Sequence, residues 1–167
     1  MSDLAVPVIE RIAQKVQERL GLISERLGFQ TTASETVRPS RKGNFRPKDY
    51  QLVFAQEGET ENPDLSCPGN PPLQAWNAPF RIAAELLQSK NDKTAVDTLR
   101  NIFKADVQRA ITRSNRGYWA QWDGLAINSR IGAVETYLDE SDQVAGFHTI
   151  LTVIYRTPEN NPFEVVG

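Results

Sequence analysis

The side chains that could do chemistry are few and far apart. The 167 residues hold one histidine, His148, and one cysteine, Cys67. A histidine base needs an oriented partner within hydrogen-bond reach. The segment around His148, "VAGFHTILTVIYR", reads as a strand and names no such partner, so a structural or edge position is expected. A reactive thiol needs a neighbour that stabilises the thiolate. Cys67 precedes Pro68 in a stiff loop, and the charged residues nearby, Glu61 and Asp64, would do the opposite. One histidine and one cysteine fall short of the three or four ligands of a His/Cys zinc site. The acids of "YLDESD", Asp139, Glu140 and Asp142, could work as paired carboxylates. They fall in a turn-like insert without an EF-hand pattern, where a solvated charge run is the simpler reading. No phosphate-binding Gly-Lys-Ser/Thr loop, nucleophile elbow or H-E-x-x-H occurs. The expectation is a protein that is not an enzyme, with no catalytic residue, no cofactor and no metal.

Three other segments stand out. "RPSRKGNFRPK" carries Arg38, Arg41, Lys42, Arg46 and Lys48 and no acid. "EGETENPD" carries Glu57, Glu59, Glu61 and Asp64 and no base. A strand-like piece, Tyr50–Gln56, separates them. Five cations beside Phe45 and Tyr50 could contact nucleic acid, yet the chain has a net charge of −2 and no nucleic-acid motif accompanies the loop. A solvated loop is the plain alternative; among functional roles, pairing of the basic loop with the acidic loop of a neighbouring copy is the favoured reading. A head-to-tail ring requires two different surfaces to meet, and complementary charge sets their register. Third, "CPGNPPLQAWNAPF" combines four prolines with Trp76 and Phe80. A stiff segment loses little entropy on docking, and aromatic side chains dominate interfaces. Trp76 could equally pack in the core, and Trp119 and Trp122 face the same choice, with at least one of them expected inside.

The elements that must position these segments follow from periodicity. Ile9, Ile12, Ala13, Val16 and Leu20 recur at helical spacing and predict a helix over 6–20, capped by Ser2 or Asp3, with Pro7 in its first turn. A short strand is expected near 36–38. From Ala75, "AWNAPFRIAAELL" reads as a strand, although "RIAAELLQ" alone has helix propensity; Pro79 should confine it to an edge or a bulge. A second helix is expected over 92–112 on Val96, Leu99, Phe103, Val107, Ala110 and Ile111, with Asn91 or Asp92 as its cap. "GLAINSRIGAVETYL" and the strand holding His148 follow; the latter is apolar on both faces, as a central strand would be. The order is helix, strands, helix, hairpin. It predicts an α+β fold: one domain over 1–167, a mainly antiparallel sheet with two amphipathic helices on one face, and a mobile segment at 157–167. No apolar run approaches the roughly 18 residues of a membrane span, and no secretory leader is visible, so a protein made in the cytoplasm is expected.

Several stretches also resemble a known family. "RIAQKVQERLGLI", "VRPSRKG", "GNPPLQAWNAPFRI", "FKADVQRAIT", "WDGLAINSRIG" and "FHTILTVIYRTPENNPF" occur in that order, from about Val8 to Phe163. Together they resemble the tail terminator proteins of long-tailed bacteriophages and related prophages, also labelled minor tail or tail completion proteins. "GNPP" followed by "AW" and "PF" is the most distinctive part. The resemblance implies a homo-hexameric ring that caps the finished tail tube at the neck end of the virion. Its partners would be further copies of the chain, the tail tube protein and the head–tail connector, with passing contact to DNA in the lumen. Another head–tail connector or completion protein is the alternative, and a basic-loop nucleic-acid-binding module is one of a different class. The family carries no invariant catalytic residue. The contact candidates therefore come from the residues themselves: Arg38, Arg41, Lys42, Arg46 and Lys48; Glu57, Glu59, Glu61 and Asp64; and Pro71, Pro72, Trp76 and Phe80.

Overall fold

Two fifteen-residue strands, β4 (Leu73–Leu87) and β6 (Val144–Pro158), lie antiparallel in unbroken register from Leu73–Pro158 to Leu87–Val144. The computed structural model describes residues 5–37, 50–88, 93–114, 117–139 and 144–166. Around the central pair it places β1 (Ser34–Val37), β2 (Tyr50–Gln56), β3 (Thr60–Glu61) and β5 (Asn128–Asp139). The sheet order is β1-β2-β4-β6-β5, with β3 on β4 beyond the end of β2. Only the β1–β2 pair is parallel. Two helices, α1 (Val8–Gly21) and α2 (Val96–Thr112), pack against this sheet. The fold is α+β.

The helices share one face with the alternate residues of the central strands. Ile12, Ala13, Val16 and Leu20 of α1 and Phe103, Val107, Ala110 and Ile111 of α2 are buried. They meet Leu52 and Phe54, then Ala78, Phe80, Ile82, Ala84 and Leu86, then Phe147, Leu151 and Val153. Tyr50, Phe103 and Phe147 form a chain of edge-to-face contacts, 5.1 and 6.0 Å between centroids. "RIAAELL" is strand because its period-two pattern matches this face; tertiary burial overrides its helix propensity.

Several expectations change. Phe80 is fully buried, 6.5 Å from Phe54, and is a core residue rather than an interface candidate. β4 is interior to the sheet despite Pro79. The Pro79 carbonyl accepts from Glu57 N, so its missing N–H also points to the β2 side. There it falls in the gap between the end of β2 and the start of β3 and breaks no ladder bond. The N-cap of α1 is Pro7, without a side-chain cap, and Val8 N donates to Pro162 O from the C-terminal segment. α2 starts at Val96 after Ala95, with Asp97 in its first turn; the expected caps Ser2, Asp3, Asn91 and Asp92 lie outside the described residues. A 3₁₀ segment at Trp119–Gly124 was not anticipated. Trp122 is fully buried, and Trp119 is half-buried against the core.

Phe80→Ala should cost about 3–5 kcal/mol through lost burial and the cavity left behind. Urea unfolding would show a lower midpoint, whereas an interface role would leave the midpoint unchanged.

Candidate functional site

The acidic and proline-rich segments form one strap along the end of β4 and β6. Asn62 Nδ2 donates to Asn77 Oδ1 at 3.1 Å, and Asn62 N to Ala75 O at 2.8 Å. Ala75 N donates to Ser66 Oγ at 3.0 Å. Arg156 Nε, from β6, donates to Leu65 O at 2.8 Å. Cys67 and Leu73 exchange two backbone bonds of 2.9 Å, closing the loop that holds Gly69, Pro71 and Pro72. The Asn70–Pro71 peptide is cis. Pro71 is exposed, while Pro72 is half-buried and its carbonyl accepts from Glu159 N. Trp76 is half-buried against the core, opposite Tyr155 on β6 and Glu61 on β3. The strap is therefore fixed by contacts on both sides, beyond the stiffness its prolines supply.

The four acids divide into two pairs. Glu57 meets the Arg81 guanidinium at 2.7 Å, and Glu59 accepts from the Tyr155 hydroxyl at 2.5 Å. Both serve the chain itself. Glu61 and Asp64 stand exposed on the outside of the strap. The five cations Arg38, Arg41, Lys42, Arg46 and Lys48 lie outside the described residues.

Among the described residues the remaining chemical groups, His148 and Cys67, stand at separate places. His148 Nε2 lies 3.0 Å from Glu135 Oε2, a partner on the next strand that the sequence did not name. Glu135 is 75% exposed, and the pair stands on the open face of the sheet. Cys67 is half-buried with its thiol 3.9 Å from Leu65 O. Glu140 and Asp142 lie outside the described residues, and among those described no three His, Cys, Asp or Glu side chains converge to hold a metal. No described helix is long and apolar enough to cross a membrane.

Sequence reasoning missed a buried arginine. Arg19 on α1 lies 3.9 Å over the Trp122 ring and donates to Ile111 O at 2.8 Å and Trp119 O at 3.0 Å. It thus covers carbonyls at the end of α2, where a cation is favoured. Burial pulls its pKa below the usual arginine value, and Asp123 and Glu18 partly offset this. Trp122 Nε1 donates to Ser129 Oγ, which donates to Ala120 O. Trp122, Asp123 and Gly124 take successive positive φ values of 50°, 60° and 89°. This is a costly run for the first two. It turns Trp122 inward and brings Asp123 within 3.4 Å of Lys15. Lys15, Glu18, Arg113 and Asp123 rim a cleft of about 470 Å³ beside Arg19. Its opposite charges already answer one another: Lys15, raised above the ordinary lysine pKa by Glu18 and then Asp123, bonds both acids.

Compared with protein-family models and with curated proteins, the chain matches none.

Two tyrosines tie the site to pH. Tyr137 donates to Glu85 and Tyr155 to Glu59. Burial first, then that hydrogen bond and the carboxylate charge, hold both phenols above the usual pKa of about 10. A folded-state pKa raised in this way gives stability that is complete below about pH 10 and lost as pH rises beyond it. Absorbance titration should show both phenols ionising late, with the unfolding midpoint falling above about pH 10. Tyr155→Phe should reduce that alkaline loss and lower stability at pH 7 by about 1.5–3 kcal/mol, the range for a hydrogen bond to a charged group.

Proposed function

We propose that the protein is a structural subunit that assembles into a ring on the end of a bacteriophage tail tube, ending tube growth and offering the joining surface for the head connector. The observation that carries this reading is the strap. It holds Glu61, Asp64 and Pro71 on the surface and is locked to the sheet by Asn62, Ser66 and Arg156. A docking element already fixed in place pays little ordering entropy when it binds. Its acids complement the cation-rich stretch from Arg38 to Lys48, so one copy offers both signs needed for a head-to-tail contact. The α+β fold agrees with what the resemblance implies, a small sheet with helices packed on it.

Light scattering with negative-stain imaging, across protein and salt concentration and then with purified tail tubes added, tests the reading. Rings, free or on tube ends, that loosen with salt are expected. Glu61→Lys with Asp64→Lys should change the unfolding free energy by no more than about 0.5 kcal/mol and abolish rings and capping. Reversing Arg41, Lys42 and Arg46 should do the same. A protein that neither forms rings nor caps tubes, yet retains DNA through those three cations, would instead be a nucleic-acid-binding module.

A further inference from the structure

The helices cover one face of the sheet. Among the described residues the other face is overlaid only where the strap reaches Ala75 and Arg156. The register fixes which side chains stand there, because they alternate with the buried set. The centre of this face is Val53, Ala83, Ile150 and Thr152, all half-buried with no helix above them. Charge is divided along the strand direction. Toward the start of β6 stand Glu85, Asp139 and Glu135, the last against His148; toward its end stand Arg81 and Arg130, with Arg156 beneath the strap. Glu57 is paired with Arg81 on the basic half, and the strap, with exposed Asp64, borders its far end. Tyr137 lies flat over Gly146 to reach Glu85, so the acidic half stays level: a Cβ on Gly146 would overlap the ring.

We propose that a second copy of this chain docks on this face, sheet against sheet with strands antiparallel, so that the acidic half of each copy lies over the basic half of the other. A patch that must meet itself under two-fold symmetry needs this distribution, opposite charge at its two ends and an apolar middle. Area permits it. Strands of 7, 15, 12 and 15 residues, at about 3.4 by 4.8 Å per residue, give a face of roughly 700 Å² once the strapped end is set aside. A stable interface needs about 800 Å² per partner, and side chains reaching beyond the backbone outline supply the remainder. Sheets stack in this way about 10 Å apart. A two-fold contact closes on itself and cannot propagate a ring, so the inference stands apart from the ring reading.

The test uses two charge reversals on the full chain, Arg130→Glu and Glu135→Arg. Both residues are exposed on β5. Sedimentation should show wild-type dimers that weaken with salt, and either variant alone should raise the dissociation constant about tenfold or more. An equimolar mixture of the two should restore pairing, because each altered half then meets its opposite. Ile150→Glu should remove pairing while the near-UV spectrum stays native. A natively folded wild type that remains monomeric throughout overturns the proposal, as does pairing that ignores both reversals or is not recovered on mixing. Assembly lost on Glu61→Lys with Asp64→Lys but unchanged by the β5 reversals overturns it too, and leaves the ring reading standing.

Discussion

The rest of the molecule hangs on the ladder between β4 and β6. Fifteen pairs in one register commit every second residue of both strands to the same side. A slip of β4 by one residue would turn Phe80 and Ile82 outward and bring Arg81 and Glu85 into the core; a slip of β6 would do the same with Phe147 and His148. Such a slip is prohibitive on burial grounds alone, since each large apolar side chain contributes about 1.5–3 kcal/mol when fully buried. That single constraint tells α1 and α2 where to pack. It also tells β2 and β5 which of their residues to present.

The helix layer is locked by a polar device. Arg19 reaches from α1 to carbonyls at Ile111 and Trp119 and stacks on Trp122, so one side chain joins both helices to the 3₁₀ segment. Trp122 can sit there only because the chain accepts positive φ at Trp122 and Asp123. Local strain is held by surrounding contacts, as strained backbone must be. In the cleft beside it Lys15 joins Glu18 and Asp123 across the rim.

With one face of the sheet committed to the helices, the two proposed contacts use what remains: the strap at one end and the open face of the sheet. The two differ in character. The strap is irregular, proline-bearing and acidic, and is fixed by side-chain bonds to β4 and β6. The open face is regular and segregates its charges by the direction of the strands. The first suits a head-to-tail contact between unlike surfaces, the second a contact of like with like.

What the sequence determined by itself was most of the elements, though not β3, the 3₁₀ segment or the strand state of "RIAAELL". Ile12, Val16 and Leu20 could only line one side of a helix, and Leu52 and Phe54 one side of a strand, because those periods are local properties of the backbone. The α+β arrangement, the core face of α2 and the central place of the strand holding His148 followed from such patterns. What only the tertiary structure decided was the fate of single residues whose local signal was ambiguous. Phe80 and Trp76 are close in sequence and both aromatic, yet Phe80 pairs with Leu151 beneath the helices and Trp76 lies past their edge. Arg19 carries no local signal of burial, because its burial depends on carbonyls some 90–100 residues away. The division of Glu57 and Glu59 from Glu61 and Asp64 likewise depends on Arg81 and Tyr155, which arrive from β4 and β6. Period is written within a few residues of chain; partners are set by the register of strands that meet only in the folded sheet.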